Sequence, residues 1–196
     1  KLHQFEDAIE CYERAISFQS DFAETYNNKG IVLLDLGQFK KAANSYKQAL
    51  KISPDFFEAI NNLGIAFYKL HHFDDAIECY EKAISFKPDF VDAYANLASV
   101  LKDLKRFDEA LEIYESEIIQ NSNLDFILGE ILYIKMHLCI WDDLSIRLNE
   151  LTNKINNGEK VISPFILLAL IDNPEIQRKA AEIYIDNKFQ NNDGLP

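Results

Sequence analysis

The sequence predicts an all-α fold: a solenoid of antiparallel helix pairs, followed by a divergent helix pair and capping or connector helices. Three observations predict it. The blocks FEDAIECYERAISFQSDF (5–22) and FDDAIECYEKAISFKPDF (73–90) are near copies, and FKKAANSYKQALKISPDF (39–56) stands midway between them, which sets a period of 34. A weaker fourth copy, FDEALEIYESEIIQNSNL, occupies 107–124. Within each block the retained apolar positions follow spacings of 3, 4 and 3, which share one face of a helix. Six Gly and five Pro among 196 residues are too few for a turn-rich β architecture.

The elements follow in chain order. Phe5, Phe39, Phe73 and Phe107 open the second helix of each pair. Ala8, Ala42, Ala76 and Ala110, Tyr12, Tyr46, Tyr80 and Tyr114, then Ala15, Ala49 and Ala83 form its packing face. Small Ala lets a neighbouring helix approach closely, and Tyr fills the adjacent gap. The first helices are predicted over 23–37, 57–71 and 91–105, with Gly30, Gly64 and Ala98 at a tight crossing position. Pro54 and Pro88 stand just past the end of a second helix, where Pro cannot continue it.

The repeats therefore divide into a half repeat (1–22) and full repeats 23–56, 57–90 and 91–124. Because 1–22 is a second helix with no partner before it, more repeats are expected upstream in the natural protein. A divergent pair is predicted over 125–157, and connector helices with a tail over 158–196. In that pair Trp141 falls one full period after Phe107, so it is expected to open the second helix. Leu144, Leu148 and Leu151 continue the packing series, Glu117 having already replaced the last small Ala of its own unit. The polar NNGEKV turn precedes SPFILLAL. A last helix then starts at Pro174, capped by Asp172 or Asn173, with Ile176, Ala180, Ile183 and Tyr184 on one face.

A helix pair of this period with this order of Gly or Ala, Ala, Tyr, Ala and Pro resembles the tetratricopeptide repeat family. The resemblance implies a right-handed superhelix whose first helices line a concave groove.

One polar residue recurs in the first helices in strict register: Asn28, Asn62 and Asn96, with Asn27 and Asn61 preceding two of them. Asn is a middling helix former, so propensity does not explain it. Its amide both donates and accepts, and can clamp a peptide bond whatever side chain follows. Helices stack about 8–10 Å apart and an extended chain advances about 3.3–3.6 Å per residue, so one Asn would meet a ligand backbone at about every third residue. These five Asn are the candidate peptide-binding residues. The alternative is that they bond to neighbouring helices and hold the stack. Other expected groove positions are acidic (Glu24, Glu58, Asp92) or mixed (Tyr68, Lys69, Lys102), which suits neutral or basic ligands; the alternative is a plain solvated helix face.

Composition narrows the function classes. A formal charge of −12 disfavours nucleic acid or an anionic membrane as partner. Three scattered Cys (Cys11, Cys79, Cys139) suggest free thiols in a reducing compartment. The longest apolar run, 161–171, is too short to span a bilayer, and no apolar signal core opens the sequence, so a cytoplasmic location is expected. No P-loop, G-x-G-x-x-G, G-x-S-x-G or H-E-x-x-H pattern occurs. His71 and His72 fall at an inter-helix turn, and His137 with Cys139 lacks the partners of a zinc site. No catalytic residue, cofactor or metal site is expected in this segment.

The C-terminal third carries a second resemblance. Cys139-x-Trp141-x-Asp143 is followed by Ser-Pro-Phe-x-Leu-Leu-x-Leu (163–170) and then Asp172-x-Pro174-x-x-Gln177. Together they look like the connector of bacterial relatives of O-linked N-acetylglucosamine transferase and SPINDLY-like glycosyltransferases; Ile140 departs from it, where that family usually has Asp. The resemblance implies a substrate-recruiting part of an enzyme that transfers sugar from a nucleotide-sugar to protein Ser/Thr, its catalytic lobes lying outside these residues. It also implies that Asn28, Asn62 and Asn96 hold the acceptor polypeptide. Two further readings stand beside it: a non-enzymatic scaffold that assembles a protein complex, and self-association through the convex face.

Overall fold

A computed structural model describes residues 2–120 and 125–190. Among them the regular elements are helices: α1 (Leu2–Phe18), α2 (Ala23–Asp35), α3 (Phe39–Ile52), α4 (Phe57–Lys69), α5 (Phe73–Phe86), α6 (Val91–Asp103), α7 (Phe107–Gln120), α8 (Ile127–His137), α9 (Leu144–Asn156), α10 (Pro164–Leu170) and α11 (Pro174–Gln190). They group into two compact units, residues 1–104 and 105–196. None of the described helices is long and apolar enough to cross a membrane.

In the first unit each helix packs on the next: α1 on α2, α2 on α3, α3 on α4, α4 on α5 and α5 on α6. The small residues of α3 to α6 pack as expected, whereas in α1 Ala15 is exposed and Ala8 and Tyr12 are only half-buried. Ala42, Ala49, Ala59, Ala66, Ala76, Ala83, Ala93 and Ala98 are all fully buried, as are Tyr46 and Tyr80. Gly30 and Gly64 face the Tyr rings directly. A Cβ on Gly64 would sit 2.6 Å from Cε1 of Tyr80, and one on Gly30 would collide with the Tyr46 ring. A glycine is thus required where Tyr46 and Tyr80 cross the preceding helix, although the equivalent position of the next repeat holds the buried Ala98.

The turn inside each pair is set by one left-handed residue. Gly37, His71, Lys105 and Cys139 have φ of 71°, 61°, 61° and 56°, and they occupy the same position in successive repeats. The N–H of Gly37 donates to Leu34 O and that of Gln38 to Leu33 O; His71 and His72, and Cys139 and Ile140, repeat the pattern. These paired bonds satisfy the last carbonyls of α2, α4 and α8. The repeat register therefore reaches Cys139 in the backbone.

Beyond Cys139 the register breaks. Trp141 does not open a helix: α9 begins three residues later, at Leu144, and Trp141 stands in the turn, half-exposed. The physical reason is the longer link. After the left-handed Cys139 the chain needs Ile140 to Asp143 before its N–H groups find helical acceptors, beginning with Arg147 N–H to Asp143 O at 3.0 Å. The Leu series fares better, with Leu151 fully buried and Leu144 and Leu148 packed against the same core. The side chain of Glu117 lies outside the described residues.

The core of the second unit joins Leu128, Leu132, Leu151, Ile155, Ile162, Leu167, Ile176 and Ala180. Each fully buried Leu or Ile contributes about 1.5–3 kcal/mol. The polar turn contains Gly158 (φ 80°), and the irregular stretch after it passes along the start of α8. There Phe126 N–H donates to Lys160 O (2.6 Å) and Gly129 N–H to Val161 O (2.9 Å). A Cβ on Gly129 would lie 2.9 Å from Cα of Ile162, so this glycine admits the passing backbone. Asn173 caps α11, its Oδ1 accepting from the N–H of Glu175 (3.0 Å) and Ile176 (3.3 Å). Ile176 and Ala180 are buried below it, Ile183 packs on the core, and the Tyr184 ring meets Phe126 edge-on at 5.6 Å.

Candidate functional site

The first helices α2, α4 and α6 carry the Asn series along one side of the first unit. The two Asn of each pair differ in placement. Asn27 and Asn61 are buried, at 6% and 4% exposure, whereas Asn28 is exposed and Asn62 and Asn96 are half-buried. Successive helices are tied through these amides. Asn62 Nδ2 donates to Asn27 Oδ1 at 3.0 Å, and Asn96 Nδ2 donates to Asn61 Oδ1 at 3.0 Å. Both bonds step one repeat plus one position along the chain.

The same diagonal appears a third time. Tyr68 Oη donates to Asp103 Oδ2 at 2.5 Å, across the same interval. That bond, aided by burial and the carboxylate's charge, pushes the Tyr68 hydroxyl up to about 12. Residue spacing alone does not single out this link, although the offset it shares with the Asn pairs is visible once α4 and α6 are aligned.

What remains on the ladder is specific. Asn62 and Asn96 each keep Oδ1 and one N–H uncommitted to any described residue, and Asn28 keeps its whole amide. An amide with one lone carbonyl and one lone N–H matches the two groups of a peptide bond. Neighbouring positions are chemically ordered. Glu24, Glu58 and Asp92 lie one turn before the three Asn, in the first turn of their helices. Ile31 and Ile65 follow three residues after Asn28 and Asn62; Ile31 is 39% exposed. Lys69 lies over the Tyr68 ring at 5.6 Å.

Other polar groups are accounted for locally. Lys29 turns away to Glu13 (2.7 Å), beside a cavity of about 430 Å³ among α1, α2 and α3 that none of the ladder Asn lines. His71 and His72 are exposed at their turn. His137 Nδ1 lies 2.8 Å from Tyr133 O, with its ring against Phe107. Cys11 and Cys139 are exposed, while burial pushes the Cys79 thiol up to about 12.

The motif residues of the C-terminal third also have local partners. Asp143 Oδ2 accepts from Arg147 Nε (3.0 Å) and Lys135 Nζ (3.3 Å). Lys135 also pairs with Glu115 at 3.2 Å, and Arg147 with Glu150 at 3.6 Å. The Arg147 bond, followed by Lys135, holds the Asp143 carboxyl below its ordinary range. Gln177 Nε2 donates to Ile171 O (2.8 Å), closing the end of α10.

Comparison with known proteins bears on the first unit most directly. Profiles described as "TPR repeat" match residues 1–37 and 32–70, and "Tetratricopeptide repeat" profiles match 57–90 and 79–112. Together they span 1–112, more than half of the 196 residues. No curated protein matches the chain. Among solved structures, a crystal structure of MamA is 20% identical over 94% of this chain and 91% of its own, with a TM-score of 0.67. A MamA fragment from Desulfovibrio magneticus RS-1 is 16% identical over 74% and 82%, also at 0.67. The OM64 TPR domain of Arabidopsis is 23% identical over 59% of this chain and 95% of its own, at 0.57. At such identities the likeness is one of fold. None of these matches points to a glycosyltransferase.

Proposed function

This chain belongs to the tetratricopeptide repeat family, whose domains generally bind protein partners, and on that premise we propose that it is a protein-interaction scaffold holding an extended polypeptide along α2, α4 and α6. The observation that supports this reading is the set of uncommitted amide groups on the ladder, half of the amide at Asn62 and Asn96 and all of it at Asn28. Asn27 and Asn61 serve the same site from behind, by fixing how the next amide is turned. Each peptide bond held adds about 0.5–1.5 kcal/mol, so three contacts give weak binding and selectivity for backbone over side chains.

Asn28 provides the cleanest test, because its amide makes no bond to a described residue. Asn28→Ala is expected to weaken binding of an extended peptide, read by fluorescence anisotropy, with no change in thermal midpoint. Unchanged binding in Asn28→Ala and in the triple Asn28→Ala/Asn62→Ala/Asn96→Ala variant would sink the reading and leave the ladder purely structural.

The connector-like stretch supports a second reading, in which this scaffold recruits substrates for a nucleotide-sugar-dependent protein glycosyltransferase. The local partners of Asp143 and Gln177 favour the plain scaffold, since they give those residues structural work without any catalytic lobe. Reading the gene beyond Pro196 decides between the two: two sugar-nucleotide-binding lobes establish the glycosyltransferase, and an early stop codon removes it.

A further inference from the structure

The peptide-face reading leaves the ligand's chemistry open, and the acidic series beside the ladder bears on it. Glu24, Glu58 and Asp92 recur once per repeat, each four positions before a ladder Asn and so on the same helix face. None of the three makes an ion pair or side-chain hydrogen bond with any described residue. The nearby cations are otherwise engaged or remote. Lys29 is paired to Glu13, Lys87 lies over the rings of Phe57 and Phe90 at 4.7 and 5.7 Å with no ion pair to Glu58 or Asp92, and Lys69 sits on the Tyr68 ring, about 16 Å beyond Glu58 along the helix axis. The N-terminal margin of the face is therefore a row of three carboxylates without an ion pair to any described residue, running parallel to three amides.

The repeat spacing restricts the ligand further. Neighbouring first helices are bonded side chain to side chain, and packed helices generally lie about 8–10 Å apart. A β-extended chain alternates its side chains every second residue, so a residue three positions on points to the opposite side. A polyproline II chain has three residues per turn and rises about 3.1 Å per residue, so it returns the same side at about every 9 Å. That conformation also leaves its own N–H and C=O groups without internal partners, which is what the ladder amides need.

Resting on the peptide-face reading, we propose that the polypeptide bound here is basic and in polyproline II form. Lys or Arg at every third residue meets Glu24, Glu58 and Asp92 in turn, while the intervening backbone lies on Asn28, Asn62 and Asn96. Ile31 and Ile65 flank the ladder on its other side and cover the apolar faces of the residues between.

The test uses the whole chain and fluorescein-labelled peptides of about twelve residues, enough to cross three repeats. The probe is a run of Pro-Pro-Lys units. Comparators are a peptide of the same composition with its Lys clustered at one end, and a run of Pro-Pro-Gln. The Pro-Pro-Lys peptide is expected to bind tightest. The Glu24→Gln/Glu58→Gln/Asp92→Asn variant should weaken it about tenfold, in line with three exposed ion pairs, and flatten its salt dependence. A control with the same charge change on α5, Asp74→Asn/Glu78→Gln/Glu81→Gln, should bind like wild type. Should the first triple variant lose helicity, Glu58→Gln alone with a salt titration carries the same expectation at smaller amplitude.

Equal weakening by the α5 control overturns the proposal in favour of non-specific attraction to an acidic protein. Equal binding of all three peptides, with Asn28→Ala still weakening each, overturns the basic ligand and leaves the peptide face standing. Binding indifferent to Asn28→Ala removes the peptide face itself, and this inference with it.

Discussion

The side-chain amide of Asn62 donates to the carbonyl oxygen of Asn27, one repeat earlier and buried, at 3.0 Å. Asn96 makes the same bond to Asn61. The ladder is therefore two things at once, a set of outward amides and a row of bolts between repeats. Removing Asn62 or Asn96 leaves a buried acceptor unpaired, at about 1–3 kcal/mol. Urea unfolding should show Asn62→Ala and Asn96→Ala destabilised by about that amount, and Asn28→Ala unchanged. Three equal losses would contradict the bolt.

Gly64 faces Tyr80 so closely that an added methyl would lie 2.6 Å from the ring. Ala is the better helix former by up to about 1 kcal/mol. Overpacking costs about 1–3 kcal/mol and should win, because Tyr80 is fully buried and has nowhere to retreat. Gly64→Ala is expected to lower the thermal midpoint, and Gly64→Ala/Tyr80→Leu to recover part of the loss. A stabilised Gly64→Ala would show that the Tyr can move aside.

Tyr46 Oη is buried with no hydrogen-bond partner among the described residues, and burial followed by the Asp35 charge raises its pKa. Deleting an unsatisfied hydroxyl while keeping the ring removes a desolvation cost. Tyr46→Phe should therefore be neutral or stabilising by up to about 1 kcal/mol, in contrast to the usual Tyr→Phe loss. Calorimetry giving a clear destabilisation would mean that the hydroxyl finds a partner.

Asp143 anchors Lys135 and Arg147, and its carboxyl titrates below the ordinary 3.8. A folded pKa below the unfolded one gives a contribution that is full above the unfolded value and is lost as pH falls through the folded one. Wild type should exceed Asp143→Asn in stability at neutral pH, and the gap should close below about pH 4. A gap that stays constant down to about pH 3 would assign the effect to packing rather than charge.

Cys79 is half-buried with a thiol raised to about 12, whereas Cys11 and Cys139 are exposed. Only the thiolate reacts, so a disulfide reagent near pH 8 should consume two thiols rapidly and the third roughly a hundredfold more slowly. In urea all three should react alike. Three fast thiols in the folded protein would show that Cys79 is open to solvent.

The resemblance to a glycosyltransferase connector rests on residues such as Asp143, Pro174 and Gln177. Each of them has local structural work: an ion network, a helix start and a helix-end bond. Local demands of that kind arise in any helical chain, so these three residues fit a plain scaffold as well.

Sequence alone determined the repeat, because a stack of equal helix pairs makes the same contact once per period and selects the same residue each time. Ala42 and Ala76, Tyr46 and Tyr80, Gly30 and Gly64 were legible for that reason. Tertiary structure decided what lies between repeats. Asn27 and Asn28 are adjacent letters about 100° apart on one helix, and only the position of the next helix turns one inward and leaves the other free. It likewise decided that Trp141, in register with Phe107, stands in a turn, because the length of the link after Cys139 sets where α9 can begin. Gly129, with no repeat counterpart to mark it, is explained only by the segment that crosses it. Periodicity records contacts that recur; a contact made once leaves no pattern to read.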